Sequence, residues 1–137
     1  MGARRLGREL ALQALYALDI NPMDTRRFLA IFWENNPSPA EARNFAGQLI
    51  EGILSHRTDL DALIKSKAQH WALSRMALVD LNLIRLAAYE LLYRDDIPKK
   101  VIINEAVEIA KKFGSEDSPA FVNGIIDEIP VPVGKAE

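Results

Sequence analysis

The run MALVDLNLIRLAAYELLY, within residues 75 to 93, is the feature that most constrains the fold. At helical spacing it is apolar on most sides, and Asp80, Arg85 and Glu90 are its charged residues. A helix of that kind needs other helices around it. The rest of the chain can supply them, because its apolar residues recur at helical spacing and no segment shows the sustained alternation of strands. With 137 residues, 49% of them apolar, one substantial core can be buried without cross-links. The expectation is an all-α, compact single-domain bundle of about seven helices over residues 1–130, with 131–137 a disordered tail.

Leu6, Leu10, Ala14 and Leu18, widened by Leu15, form one stripe on a helix over residues 4–20 that Asn21-Pro22 ends. A second helix near 25–35 buries Phe28, Leu29 and Phe32. Ser38-Pro39-Ala40-Glu41 predicts an N-cap serine, a first-turn proline and an acid at the third position. The helix it starts carries Phe45, Leu49, Ile53 and Leu54 to about His56. Thr58 is the expected cap of a fourth helix running to about residue 69, and 75–93 is the fifth. Ile102 or Ile103, Ala106, Ile109 or Ala110 and Phe113 mark a sixth, which Gly114 stops. Ser118-Pro119 starts a seventh over 118–128, and Pro130 and Pro132 end regular structure.

Charge is unevenly placed. The net charge is −2, yet Arg4, Arg5 and Arg8 fall in the first eight positions, which hold no acid; 14 basic residues then face all 19 acidic ones. Bulk coating of nucleic acid is therefore not expected, and a localised anion site is. Cysteine is absent, which excludes disulfides, thiolate metal sites and a cysteine nucleophile. No stretch has the roughly 20 apolar residues of a membrane span, and MGARRLGREL lacks the apolar core of a secretory signal. A cytoplasmic protein is expected. His56 and His70 have no evident metal partners in sequence, the acid pairs fit helix ends, and no nucleophile, base and oxyanion site assembles. Neither metal, cofactor nor catalysis is expected.

Three segments resemble the NusB family: Arg4-Arg5-Leu6-Gly7-Arg8-Glu9 running into ALQALYALD, then LIRLAAYELLYRDDIPKKVIINEAVEIAKKFG over 83–114, and SEDSPAFVNGIID over 115–127. The last two adjoin and keep one register. Leu6 and Gly7 interrupt a basic run that is denser in many family members. The resemblance implies a transcription antitermination factor that binds boxA-type single-stranded leader RNA of ribosomal RNA transcripts. Its partner would be a ribosomal protein acting as Nus factor E, with other Nus factors and RNA polymerase engaged indirectly. Two rival readings share the same helical pattern. A self-associating helical protein is one, because some members cover the arm in a homodimer. The other is an RNA cytosine methyltransferase, which carries the same helical domain ahead of a catalytic one; the missing cysteines and catalytic domain argue against it.

Cations are unfavourable at a helix N-terminus and phosphate is favoured there, so Arg4, Arg5 and Arg8 are candidate RNA contacts. Phe113 and Phe121 flank the turn from Gly114 to Pro119 and are candidates for stacking unpaired bases, although Phe113 also continues a core stripe. Asp117 and Ser118 would cap the last helix, and the resemblance places them by RNA. Tyr16 and Asp80 are, by the same resemblance, the partner-binding residues. Arg85 and Glu90, on the most buried helix, should be paired. Asn123-Gly124 inside a helix is unusual, and close helix packing at Gly124 is the expected reason.

Overall fold

The computed structural model describes residues 2–68 and 70–137. Its helices are α1 (Ala3–Ile20), α2 (Thr25–Asn35), α3 (Ala40–Ser55), α4 (Arg57–Lys67), α5 (Leu78–Tyr93), α6 (Lys99–Phe113) and α7 (Ser118–Asp127), with a 3-10 turn at Leu73–Arg75. No strand occurs among the described residues. The expected end of α4 and the start of the following turn reach Gln69, which lies outside them.

Helix α5 is the hub. It contacts α1, α3, α4, α6 and α7, and Leu83, Ile84, Ala88 and Leu91 are fully enclosed. Burying such side chains contributes about 1.5 to 3 kcal/mol each against exposure. The most extensive helix pair is α1 with α3, followed by α6 with α7. Gly7 makes the first possible: a Cβ there would stand 2.9 Å from the Phe45 ring and 3.0 Å from the Ala42 carbonyl oxygen. The residue that interrupts the basic run is thus the point where α1 crosses α3.

Several helix starts differ from expectation. Helix α3 begins at Ala40, and the Ser38 hydroxyl donates 3.0 Å to the Asn36 carbonyl instead of capping. Helix α4 begins at Arg57 with no side-chain cap, because His56 both ends α3 and opens α4, leaving Thr58 inside the first turn. Helix α5 starts at Leu78; the residues before it form the 3-10 turn. In contrast, Asp24 caps α2 by accepting from the Arg27 N–H at 3.0 Å.

The last residues depart from the disordered tail expected. The amides of Lys99 and Lys100, in the first turn of α6, donate to the carbonyls of Ala136 and Glu137 at 2.9 and 3.1 Å. Pro98 is the N-cap of α6 and offers no side-chain acceptor, so the carbonyls of Ala136 and Glu137 fill that role. Lys135 adds a 3.2 Å bond to the Glu90 carbonyl and a second to that of Arg94.

Arg85 is paired, as burial demands. Its guanidinium grips Asp61 at 2.7 and 2.9 Å and Asp19 at 2.9 Å, which joins α1, α4 and α5. Burial pushes the Asp19 carboxyl up, but bonds from Asn82 and Arg57 and the charges of Arg57 and Arg85 outweigh it and hold it below the usual carboxylate range.

Candidate nucleic-acid interface

The three arginines occupy one turn of α1 but three different environments. Arg4 is half exposed; its guanidinium pairs with Asp96 at 3.1 Å and lies 5.1 Å from the Phe45 ring centre. Arg5 grips Glu105 with two bonds, Nε to Oε1 at 3.0 Å and Nη2 to Oε2. These bonds hold the Glu105 carboxyl below its ordinary value and raise the Arg5 guanidinium above its own. Arg8 is 3% exposed and locked onto Glu90, itself 1% exposed, at 2.7 to 3.1 Å. Arg8 therefore departs from the expectation of an RNA contact: it is an internal strut between α1 and α5.

The surrounding groove holds about 590 Å³ and is lined by Arg4, Arg5 and Lys112 together with Asp96, Glu105 and Glu108. Arg4, Arg8 and Arg94 all lie within 5.3 Å of the Phe45 ring centre. Arg94 also binds Asp96, whose carboxyl is held far below the usual range by that bond first and by Arg4 second. The anions that the dipole of α1 favours are supplied here by α5, α6 and the turn between them. Phosphate would compete with Asp96 and Glu105 for Arg4 and Arg5, but would have to break a buried pair to reach Arg8.

The turn from α6 to α7 is built by Ser118. Its hydroxyl accepts from the Ser115 N–H at 2.9 Å, and the side chain is 2% exposed. Burial therefore takes Ser118 off the surface, against the expectation of an RNA contact, and gives it the turn to hold. Gly114 permits this: a Cβ there would lie 2.5 Å from the serine's side chain, while its φ of −94° is ordinary. Asp117 occupies the N-cap position of α7 in helical conformation, exposed and making no side-chain capping bond. Its carboxylate is turned outward at the rim of the turn and does not play the capping role expected of it.

Phe113 and Phe121 are not brought together. Phe113 lines a cleft of about 380 Å³ with Leu12, Tyr16, Phe32 and Val79, and the Lys112 ammonium lies 5.4 Å from its ring centre. Tyr16 is exposed on that cleft. Asp80 follows Val79 in the first turn of α5, is 8% exposed, and its Oδ1 has no hydrogen-bond partner among the described residues. Tyr16 and Phe113 thus line one cleft, which Asp80 does not.

Phe121 sits instead against Trp71, ring centres 5.7 Å apart at 81°. Gly124, expected at a tight helix contact, has nothing within 4 Å of where a Cβ would stand and opens onto the same groove. Sequence reasoning missed Trp71, Phe45, Asp96 and Glu105 as parts of these surfaces. An exposed tryptophan after a helix end was the one local signal; the other three are recognisable only once the helices are placed.

No group of residues fit to hold a metal occurs among those described, and no described helix is long and apolar enough to cross a membrane. Residues 5–130 match the model of the NusB family. The chain is 55% identical over 130 residues to transcription antitermination protein NusB of Geobacter sulfurreducens, covering 94% of each. It is 49% identical to the Myxococcus xanthus protein of that name over 98% of this chain and 99% of the other. Among solved structures, T. maritima NusB superimposes with a TM-score of 0.85 at 35% identity, covering 98% and 96%. A structure described as antitermination factors NusB and NusE in complex with dsRNA gives 0.83 at 25% identity, covering 94% and 96%. Fold and extent of match agree, and the chain belongs to the NusB family.

Proposed function

We propose that this chain is a non-catalytic transcription antitermination adaptor of the cytoplasm. It holds boxA-type single-stranded leader RNA jointly with a ribosomal protein, Nus factor E, and tethers that RNA to elongating RNA polymerase. The observation that carries this reading is the pair Arg4 and Arg5, exposed on a groove whose other rim bears Lys112, in a chain matching NusB proteins along nearly its whole length. Arg8 acts through position, fixing the first turn of α1 so that Arg4 and Arg5 face the groove. Asp117 stands at the edge of the RNA path, where its charge restrains affinity.

The partner side is separate. The cleft of Tyr16 and Phe113 takes an apolar side chain of the ribosomal protein, and Asp80 Oδ1 accepts a hydrogen bond from it. An unsatisfied buried oxygen costs about 1 to 3 kcal/mol, and a partner donor would offset that.

The test is anisotropy of a labelled single-stranded boxA-type RNA with the chain alone, with the ribosomal protein, and with both. Binding strengthened by the partner and weakened by salt supports the reading. Equal binding of a scrambled RNA, or preference for a duplex of the same bases, overturns it, since an A-form helix keeps its bases stacked and paired and its major-groove edges out of reach of side chains.

A further inference from the structure

After α7 the chain folds back over the junction of α5 and α6. Ile129 is buried and Val131 packs on the core, so the segment is anchored as it leaves α7. It then turns: the Lys135 N–H donates to the Pro132 carbonyl at 3.2 Å, and Gly134 inside that turn has a φ of +91°. That conformation is open to glycine and costly for other residues. The turn brings the Lys135 ammonium to the carbonyls of Glu90 and Arg94 at the C-terminal end of α5, where the helix dipole favours a cation. Ala136 and Glu137 then cap the first amides of α6. One segment thus ties down both sides of the 94–98 turn, α5 before it and α6 after it.

That turn carries the counterion of the arginine groove. Arg94 grips Asp96 at 3.0 and 3.1 Å and lies over the Phe45 ring beside Arg4, and Arg4 donates to the same carboxylate at 3.1 Å. We infer that Lys135 is a positioning residue for the groove: by fixing the 94–98 turn it keeps Asp96 on Arg4, in the place an RNA phosphate would take, and so restrains RNA affinity. The inference rests on the RNA-binding reading above and adds how that site is regulated. An anchored carboxylate stays beside the guanidinium at high local concentration. On a loosened turn it must be ordered each time it returns, so phosphate displaces it more readily.

The test measures anisotropy of labelled single-stranded boxA-type RNA with the complex of this chain and the ribosomal protein. Lys135→Met removes both bonds to α5 and keeps the apolar stem. Gly134→Ala strains the turn without a clash, since nothing lies within 4 Å of the added Cβ, and changes no charge. Each should raise RNA affinity by about 2- to 5-fold, the worth of one exposed ion pair, and speed hydrogen exchange at the Lys99 and Lys100 amides. Loss of a cation by itself would weaken RNA binding, so a gain in Lys135→Met runs against bulk electrostatics. Asp96→Asn should raise affinity by a similar factor, and beside it neither variant should add more. A lowered Tm with RNA affinity unchanged makes the segment merely structural and overturns the inference while leaving the RNA reading standing. A gain that persists beside Asp96→Asn overturns it too, because Lys135 would then act by another route. Lys99 and Lys100 amides that already exchange freely in the parent overturn it as well, because the segment would not be docked. Failure of the unaltered complex to bind RNA overturns both readings.

Discussion

Replacing Arg8 with alanine separates an RNA contact from a structural strut. The substitution strands the Glu90 carboxylate, which is 1% exposed and takes bonds from Arg8 at 2.7, 3.0 and 3.1 Å. Removing one partner of a buried ion pair costs about 3 to 5 kcal/mol, because the remaining charge has lost its counterion and cannot reach water. For a domain of this size that is a fall of roughly 10 to 15 °C in Tm, taking about 3 °C per kcal/mol. Arg4→Ala, in contrast, breaks an exposed pair with Asp96 and should cost no more than about 1 kcal/mol. Thermal unfolding followed by circular dichroism measures both. The double substitution Arg8→Met with Glu90→Leu is the control: with both charges gone and the volume kept, stability should return to near that of the parent or above it. An Arg8→Ala protein that melts within about 1 kcal/mol of the parent yet loses RNA binding would refute the strut and restore Arg8 to the RNA surface.

Arg4→Ala with Arg5→Ala should flatten the salt dependence of RNA binding by about 1.4, taking roughly 0.7 per phosphate, with Tm lowered by the loss of the part-buried Arg5–Glu105 pair but the helical fold kept; an unaltered slope removes both residues from the interface. Glu105→Gln releases Arg5 from its carboxylate, so RNA affinity should rise in anisotropy titrations, and a fall would mean that Glu105 aims Arg5 rather than competing with phosphate. Asp117→Asn removes an exposed charge that makes no capping bond, so RNA affinity should hold or increase while the melting curve is unmoved. The carboxyls of Asp19 and Glu105 are depressed in the folded state. Their stabilisation is therefore complete above the ordinary carboxylate range and is lost as pH falls through and below it, and Glu105→Gln should reduce that loss in acid-unfolding curves.

The fold was legible because its signals are local. Apolar residues three and four apart fixed the faces of α1, α3 and α6, and the run around Leu83, Ile84 and Ala88 had to be a central helix whatever its neighbours were. Asn21-Pro22 and Gly114 marked breaks because proline and glycine restrict or free the backbone where they stand. Capping was less secure. Ser38 and Thr58 fit N-cap patterns, but a hydroxyl goes to whichever partner the packed turn presents, and only tertiary structure sets that. The site divides in the same way. The sequence by itself concentrated three arginines at one helix end; the packing of α1 against α3, α5 and α6 decided that Arg4 and Arg5 stay at the surface while Arg8 meets Glu90, 82 residues away. Packing likewise set Phe121 beside Trp71 and Phe113 beside Tyr16, although Phe113 and Phe121 are close in the chain. Helical periodicity states which face of a helix is apolar, not which helix that face will meet, and contacts between sequence-remote side chains depend on crossing positions that no single segment encodes.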